Sequence, residues 1–90
     1  MKIKNTFVLR TVAGSNVVVP TGADMMDFNG MITLNETGAF LWEKLQSDTN
    51  IEALAEAMLA EYSGITAEEA KADIEEFIQT LEKKGIIENG

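Results

Sequence analysis

The sequence predicts an α+β domain: a small antiparallel sheet of about three strands followed by a three-helix bundle. Three observations carry this. β-Branched and apolar residues dominate residues 7–12 and 16–20 and then give way to helical spacing. Helix-start signals stand at Asn35, Thr49 and Thr66, each ahead of an apolar stripe. Ninety residues with 46% hydrophobic content suit one core, so residues 1–90 read as a single domain, with a β part over 6–34 and a helical part over 35–87.

Taken in order, residues 7–12 and 16–20 form a hairpin joined by the turn signal Ala13, Gly14, Ser15. Pro20 lacks a ladder donor and marks the end of the second strand. A Gly-containing connection, longer than a minimal hairpin loop, covers residues 21–30. Within it Asn29-Gly30 favours a tight turn, so that either residues 25–28 pair briefly with 31–34 or a loop simply delivers the chain to a third strand at Met31.

The first helix is expected over residues 36–45, with Asn35 as N-cap and Glu36 meeting the positive helix end. Leu34, Leu41, Trp42 and Leu45 fall on one face, which makes Trp42 a core residue. Gly38 costs about 1 kcal/mol relative to Ala inside a helix, which implies that another backbone or a large ring packs closely there. Phe40 points away from this stripe and either packs under the sheet or joins an exposed patch.

Capping boxes announce the other two helices: Thr49 with Glu52, and Thr66 with Glu69. Ile51, Leu54, Ala55, Met58, Leu59 and Tyr62 make the apolar face of the second helix, which Ser63 and Gly64 end. The third, over residues 67–84, carries the stripe Ala70, Ile74, Phe77, Leu81 and stops at Gly85 in the left-handed position, after which Ile86 and Ile87 fold back. Ile78 sits beside that stripe, with Ala67 and Lys71 on the same flank, giving an apolar surface wide enough to line a groove. Strands followed by a helix trio whose last two members make a helix-turn-helix shape amount to a winged-helix-like topology.

Composition removes most chemistry. With no Cys and no His there is no thiol nucleophile, disulfide, zinc ligand set or imidazole base, and no cofactor is implied. The 15 Asp and Glu residues are spread at solvent-facing helical spacing, so a binding or carrier role is favoured over an enzyme. A net charge of −8 opposes nucleic acid and anionic lipid. No window is long and apolar enough to span a bilayer and no secretory pattern opens the sequence, so a cytoplasmic location is expected.

The run Leu34-Asn35-Glu36-Thr37-Gly38-Ala39-Phe40-Leu41-Trp42, the helix from Thr49 to Tyr62 and the closing Phe77-Ile78-Gln79-Thr80-Leu81-Glu82-Lys83-Lys84-Gly85-Ile86-Ile87 resemble the PqqD family over nearly the whole chain. The resemblance implies a RiPP recognition element: a non-catalytic domain that binds the leader of a ribosomally made precursor peptide and presents it to a modifying enzyme, often a radical S-adenosylmethionine enzyme. In that family the leader adds as a strand to the third strand of the sheet and rests on the third helix. Carried over, the peptide-binding positions are Met31, Ile32, Thr33 and Leu34 on the strand and Lys71, Ile74 and Ile78 on the helix. Backbone bonding to an open strand edge supplies sequence-tolerant affinity, and alternate side chains supply selectivity. Met25, Met26 and Met31 near that edge offer an adaptable surface. The same edge allows a homodimer through edge pairing or strand swap.

Two other classes compete. A winged-helix regulatory module, binding protein or nucleic acid, would insert its third helix into the major groove, but that helix opens with Glu68, Glu69 and Asp73. An acyl carrier protein needs a Ser in an Asp-Ser-Leu context; Ser47 lies between Gln46 and Asp48, and Ser15 and Ser63 do not fit either.

Overall fold

The computed structural model describes residues 1–21 and 32–88; Met31 and the expected pairing of residues 25–28 lie outside the described residues. The elements are β1 (Lys2–Ile3), β2 (Phe7–Val12), β3 (Ser15–Pro20), β4 (Ile32–Leu34), α1 (Glu36–Lys44), α2 (Ile51–Glu61), α3 (Ala67–Lys83) and β5 (Ile87–Glu88). The fold is α+β: a three-stranded antiparallel sheet in the order β2-β3-β4, packed with three helices.

The β2–β3 hairpin closes on the two-residue turn Ala13-Gly14, with φ of +51° and +82°. Two positive φ values are the mark of the turn whose twist matches the flanking strands. Strand β3 therefore starts at Ser15, one residue earlier than the pattern implied, with Val12 opposite Ser15. Phe7, Val18 and Leu34 are buried on one face of the sheet, with Leu9 and Ile32 packed beside them.

Each helix starts on a side-chain cap. Asn35 accepts from the Gly38 N–H at 2.8 Å. On α2 the cap is Asn50, which accepts from the Ala53 N–H at 2.8 Å, and not Thr49, whose N–H donates to the Met1 carbonyl instead. On α3 both halves of the Thr66/Glu69 capping box are present, each bond 3.1 Å long. At its other end the Gly85 N–H reaches the Glu82 carbonyl and the Ile86 N–H reaches the Leu81 carbonyl, each at 3.0 Å, with Gly85 at φ +72°. This is the Schellman arrangement, completed by burial of Leu81 and Ile86 in the same cluster.

Reversing at Gly85 lets β5 pair with β1 in a separate two-stranded ribbon, which local sequence patterns do not announce. The Ile3 N–H then bonds the Leu45 carbonyl and the Lys4 N–H bonds the Ile86 carbonyl, tying the ribbon to the ends of α1 and α3. Leu41, Trp42, Leu45, Leu54, Met58, Ile74 and Leu81 fill the core between sheet and helices.

Leu59 is 39% exposed, because α2 turns only Leu54, Ala55 and Met58 fully inward. Phe40 is half-buried against the core cluster: its ring meets Tyr62 edge-on at 5.6 Å, and Lys44 Nζ stands 5.3 Å from its centroid. Among the described residues no helix is long and apolar enough to cross a membrane.

Candidate functional site

Among the described residues strand β4 is an edge, and the register settles which of its amides face outward. A two-residue turn forces its closing pair, Val12 and Ser15, to exchange both hydrogen bonds. Alternation then directs the peptide groups of Ser15, Val17 and Val19 toward β2 and those of Asn16 and Val18 toward β4. Asn16 pairs with Leu34 and Val18 with Ile32, so these two residues of β4 spend their backbone groups on β3. Thr33, opposite Val17, therefore points both its N–H and its C=O away from the sheet. No partner for them occurs among the described residues.

That edge opens into a groove of about 470 Å³. Ile32, Thr33 and Leu34 form one wall; Asn35, Thr37, Gly38 and Leu41 at the start of α1 form the base; Asp73, Glu76, Phe77, Thr80 and Leu81 of α3 form the opposite wall. Gly38 explains how the walls come so close. A Cβ there would stand 3.2 Å from Leu34 Cβ, 3.3 Å from Asn35 Oδ1 and 3.4 Å from Phe77 Cε1. Of the two neighbours a glycine inside this helix implied, another backbone or a large ring, the structure supplies the Phe77 ring together with the Leu34 side chain.

Of the site residues read from the sequence, Ile32, Thr33 and Leu34 line the groove: Thr33 is exposed, Ile32 half-buried and Leu34 buried. Lys71 is exposed but outside the groove. Ile74 and Ile78 do not form an exposed flank. They are 0% and 4% exposed and belong to the core. The inward face of α3 runs Ala70, Ile74, Ile78, Leu81, a 4-4-3 spacing. Helical periodicity admits this face as readily as the 4-3-4 stripe through Phe77, and packing against α2 and the sheet chooses between them. Phe77, which read as core, is thereby turned to the groove, and with it Thr80 and the acidic residues Asp73 and Glu76, which read as solvated surface. The signal that pointed to Phe77 was Gly38.

Asp73 and Glu76 are exposed, and neither forms an ion pair among the described residues. The Thr80 hydroxyl donates to the Glu76 carbonyl of its own helix at 3.0 Å. Outside the groove, the N-terminal ammonium bonds Asp48 Oδ1 and holds that carboxyl below its ordinary range by hydrogen bonding and charge.

The family model for coenzyme PQQ synthesis protein D matches residues 20–87. The chain belongs to the PqqD family. Two solved structures share the fold of this PqqD-family chain. One is TbiB1 in complex with the TbiA(beta) leader peptide: it is 22% identical, the match covers 100% of this chain and 98% of that one, and the TM-score is 0.78. The other is lasso peptide synthetase B1 complexed with the leader peptide, 18% identical over 94% and 93% of the two chains, with a TM-score of 0.74. A search of curated proteins found no match.

Proposed function

We infer that this PqqD-family chain is a non-catalytic leader-peptide-binding domain that holds a ribosomally made precursor for a modifying enzyme. One observation carries the reading: the N–H and C=O of Thr33, unpartnered among the described residues, face a groove walled on its far side by α3. An extended segment lying beside β4, about 4.8 Å away, meets both groups and rests its alternate side chains on Phe77, Leu41 and Ile32. Membership of the PqqD family and the leader complexes of the two similar structures support the same occupant. The acidic α3 wall opposes the alternative of a helix docked against nucleic acid phosphate. The partner enzyme proposed is of the radical S-adenosylmethionine class, and the site of action proposed is the cytoplasm.

The test is an amide-resolved NMR titration of the full chain with leader segments of precursors encoded beside it. Binding at the groove shifts the amides of Thr33 and Phe77 together. A leader that binds and leaves both unmoved places the site elsewhere.

A further inference from the structure

The groove is chemically asymmetric, and the asymmetry bears on which peptides it accepts. Ile32 on the β4 wall, Leu41 at the base and Phe77 on the α3 wall give it apolar surface, whereas Asp73 and Glu76 make the α3 wall acidic. These carboxylates stand three residues apart, so they share one helix face with Cβ atoms about 5–6 Å apart. Both are exposed and neither forms an ion pair among the described residues. No Lys or Arg occurs among the described residues that line the groove.

We propose that the segment bound beside β4 carries a Lys or Arg on its groove-facing side, two residues from an apolar residue on the same side. This deepens the leader-binding reading of the groove and rests on it. Side chains two apart on a strand share a face at a spacing of about 6.6 Å. Such a pair places the apolar side chain on Phe77 and the next one on that face beside Asp73 or Glu76, which flank Phe77 on the same helix. A guest of the same chemistry as this chain fits poorly, because a second copy brings a further net charge of −8 to an already acidic wall. The occupant is thus a basic-apolar extended peptide, and the selectivity lies on α3, while the Thr33 edge binds any backbone.

The experiment selects a displayed library of randomised linear peptides against three immobilised full-length proteins: wild type, the double variant Asp73→Asn/Glu76→Gln, and Thr33→Pro. Both acidic positions are exposed, and circular dichroism verifies that each variant is folded. Wild type should enrich Lys or Arg two positions from an apolar residue. The double variant should bind those same peptides about three- to tenfold more weakly, as expected for two exposed ion pairs, with the difference shrinking as salt is added. Enrichment of neutral or acidic sequences by wild type, or equal binding by the double variant, overturns the basic-residue requirement alone. A Thr33→Pro protein that enriches the same peptides as wild type, or a wild type that enriches nothing beyond Thr33→Pro, overturns the groove reading and this proposal with it.

Discussion

Adjacent residues on β4 should respond oppositely to proline. Thr33 directs its N–H away from the sheet, so Thr33→Pro removes no ladder bond, and the restriction on the preceding residue favours the extended backbone that Ile32 already has. The free protein should keep its stability within about 1 kcal/mol, the usual scale for an exposed change without a named defect. Leader binding should weaken by about 1–2 kcal/mol, one backbone bond plus an unpaired guest carbonyl at a half-open edge, which corresponds to about 5- to 30-fold in Kd. Ile32→Pro is the control. It deletes the bond between Ile32 N–H and the carbonyl of Val18, a residue with 0% exposure, and trims a half-buried side chain. The cost should be about 2–4 kcal/mol, a Tm lower by roughly 10–25 °C. Thermal unfolding followed by circular dichroism gives the stabilities, and calorimetric titration with a leader segment gives Kd. Equal destabilisation by the two prolines refutes the assigned hydrogen-bond alternation; a stable Thr33→Pro protein with unchanged Kd refutes the edge as the binding surface.

Three further outcomes follow from the packing. Trp42, 3% exposed, should cost about 3–5 kcal/mol on replacement by Ala, and an unchanged Tm removes it from the core. Gly38→Ala gains about 1 kcal/mol of helix propensity, yet the new methyl meets Leu34 Cβ at 3.2 Å on a ladder-bonded strand that cannot retreat. A net loss of about 1 kcal/mol is expected, and a Tm above wild type shows that β4 and Phe77 yield. Ala13, held at φ +51° in the turn, should be improved by Asn, which tolerates that conformation and is favoured before Gly. A gain of about 0.5–1 kcal/mol in urea unfolding is expected, and no gain means the turn carries no strain.

The legible parts of the fold are those set by neighbours in sequence. Asn35, the Thr66/Glu69 box and Gly85 act on backbone groups within a turn of themselves, and each does what its residue type implies. Even here neighbours compete: both Thr49 and Asn50 are capping residue types, and the Asn50 side chain takes the Ala53 N–H, while the Thr49 N–H bonds the Met1 carbonyl from across the chain. For the groove, β4 was legible, and so was the need for a backbone or a large ring packed closely on Gly38. The wall of α3 was not, since Phe77 and Ile78 are adjacent and either can sit at the edge of an apolar stripe.

By itself the sequence determined the element types, the helix ends, the acidic surface and the strand that borders the groove, all through local propensity, capping and charge. Tertiary structure alone decided the pairing of β1 with β5, the rotation of α3 that buries Ile78 and turns Phe77 to the groove, and the direction of the Thr33 amide. The reason is that a helix's rotation and a strand's register are chosen by partners distant in sequence. The Thr33 amide shows how fine that choice is: at the same β3–β4 register, a β2–β3 turn that closed on Asn16 in place of Ser15 would reverse the alternation along β3 and point the Thr33 peptide groups into the sheet.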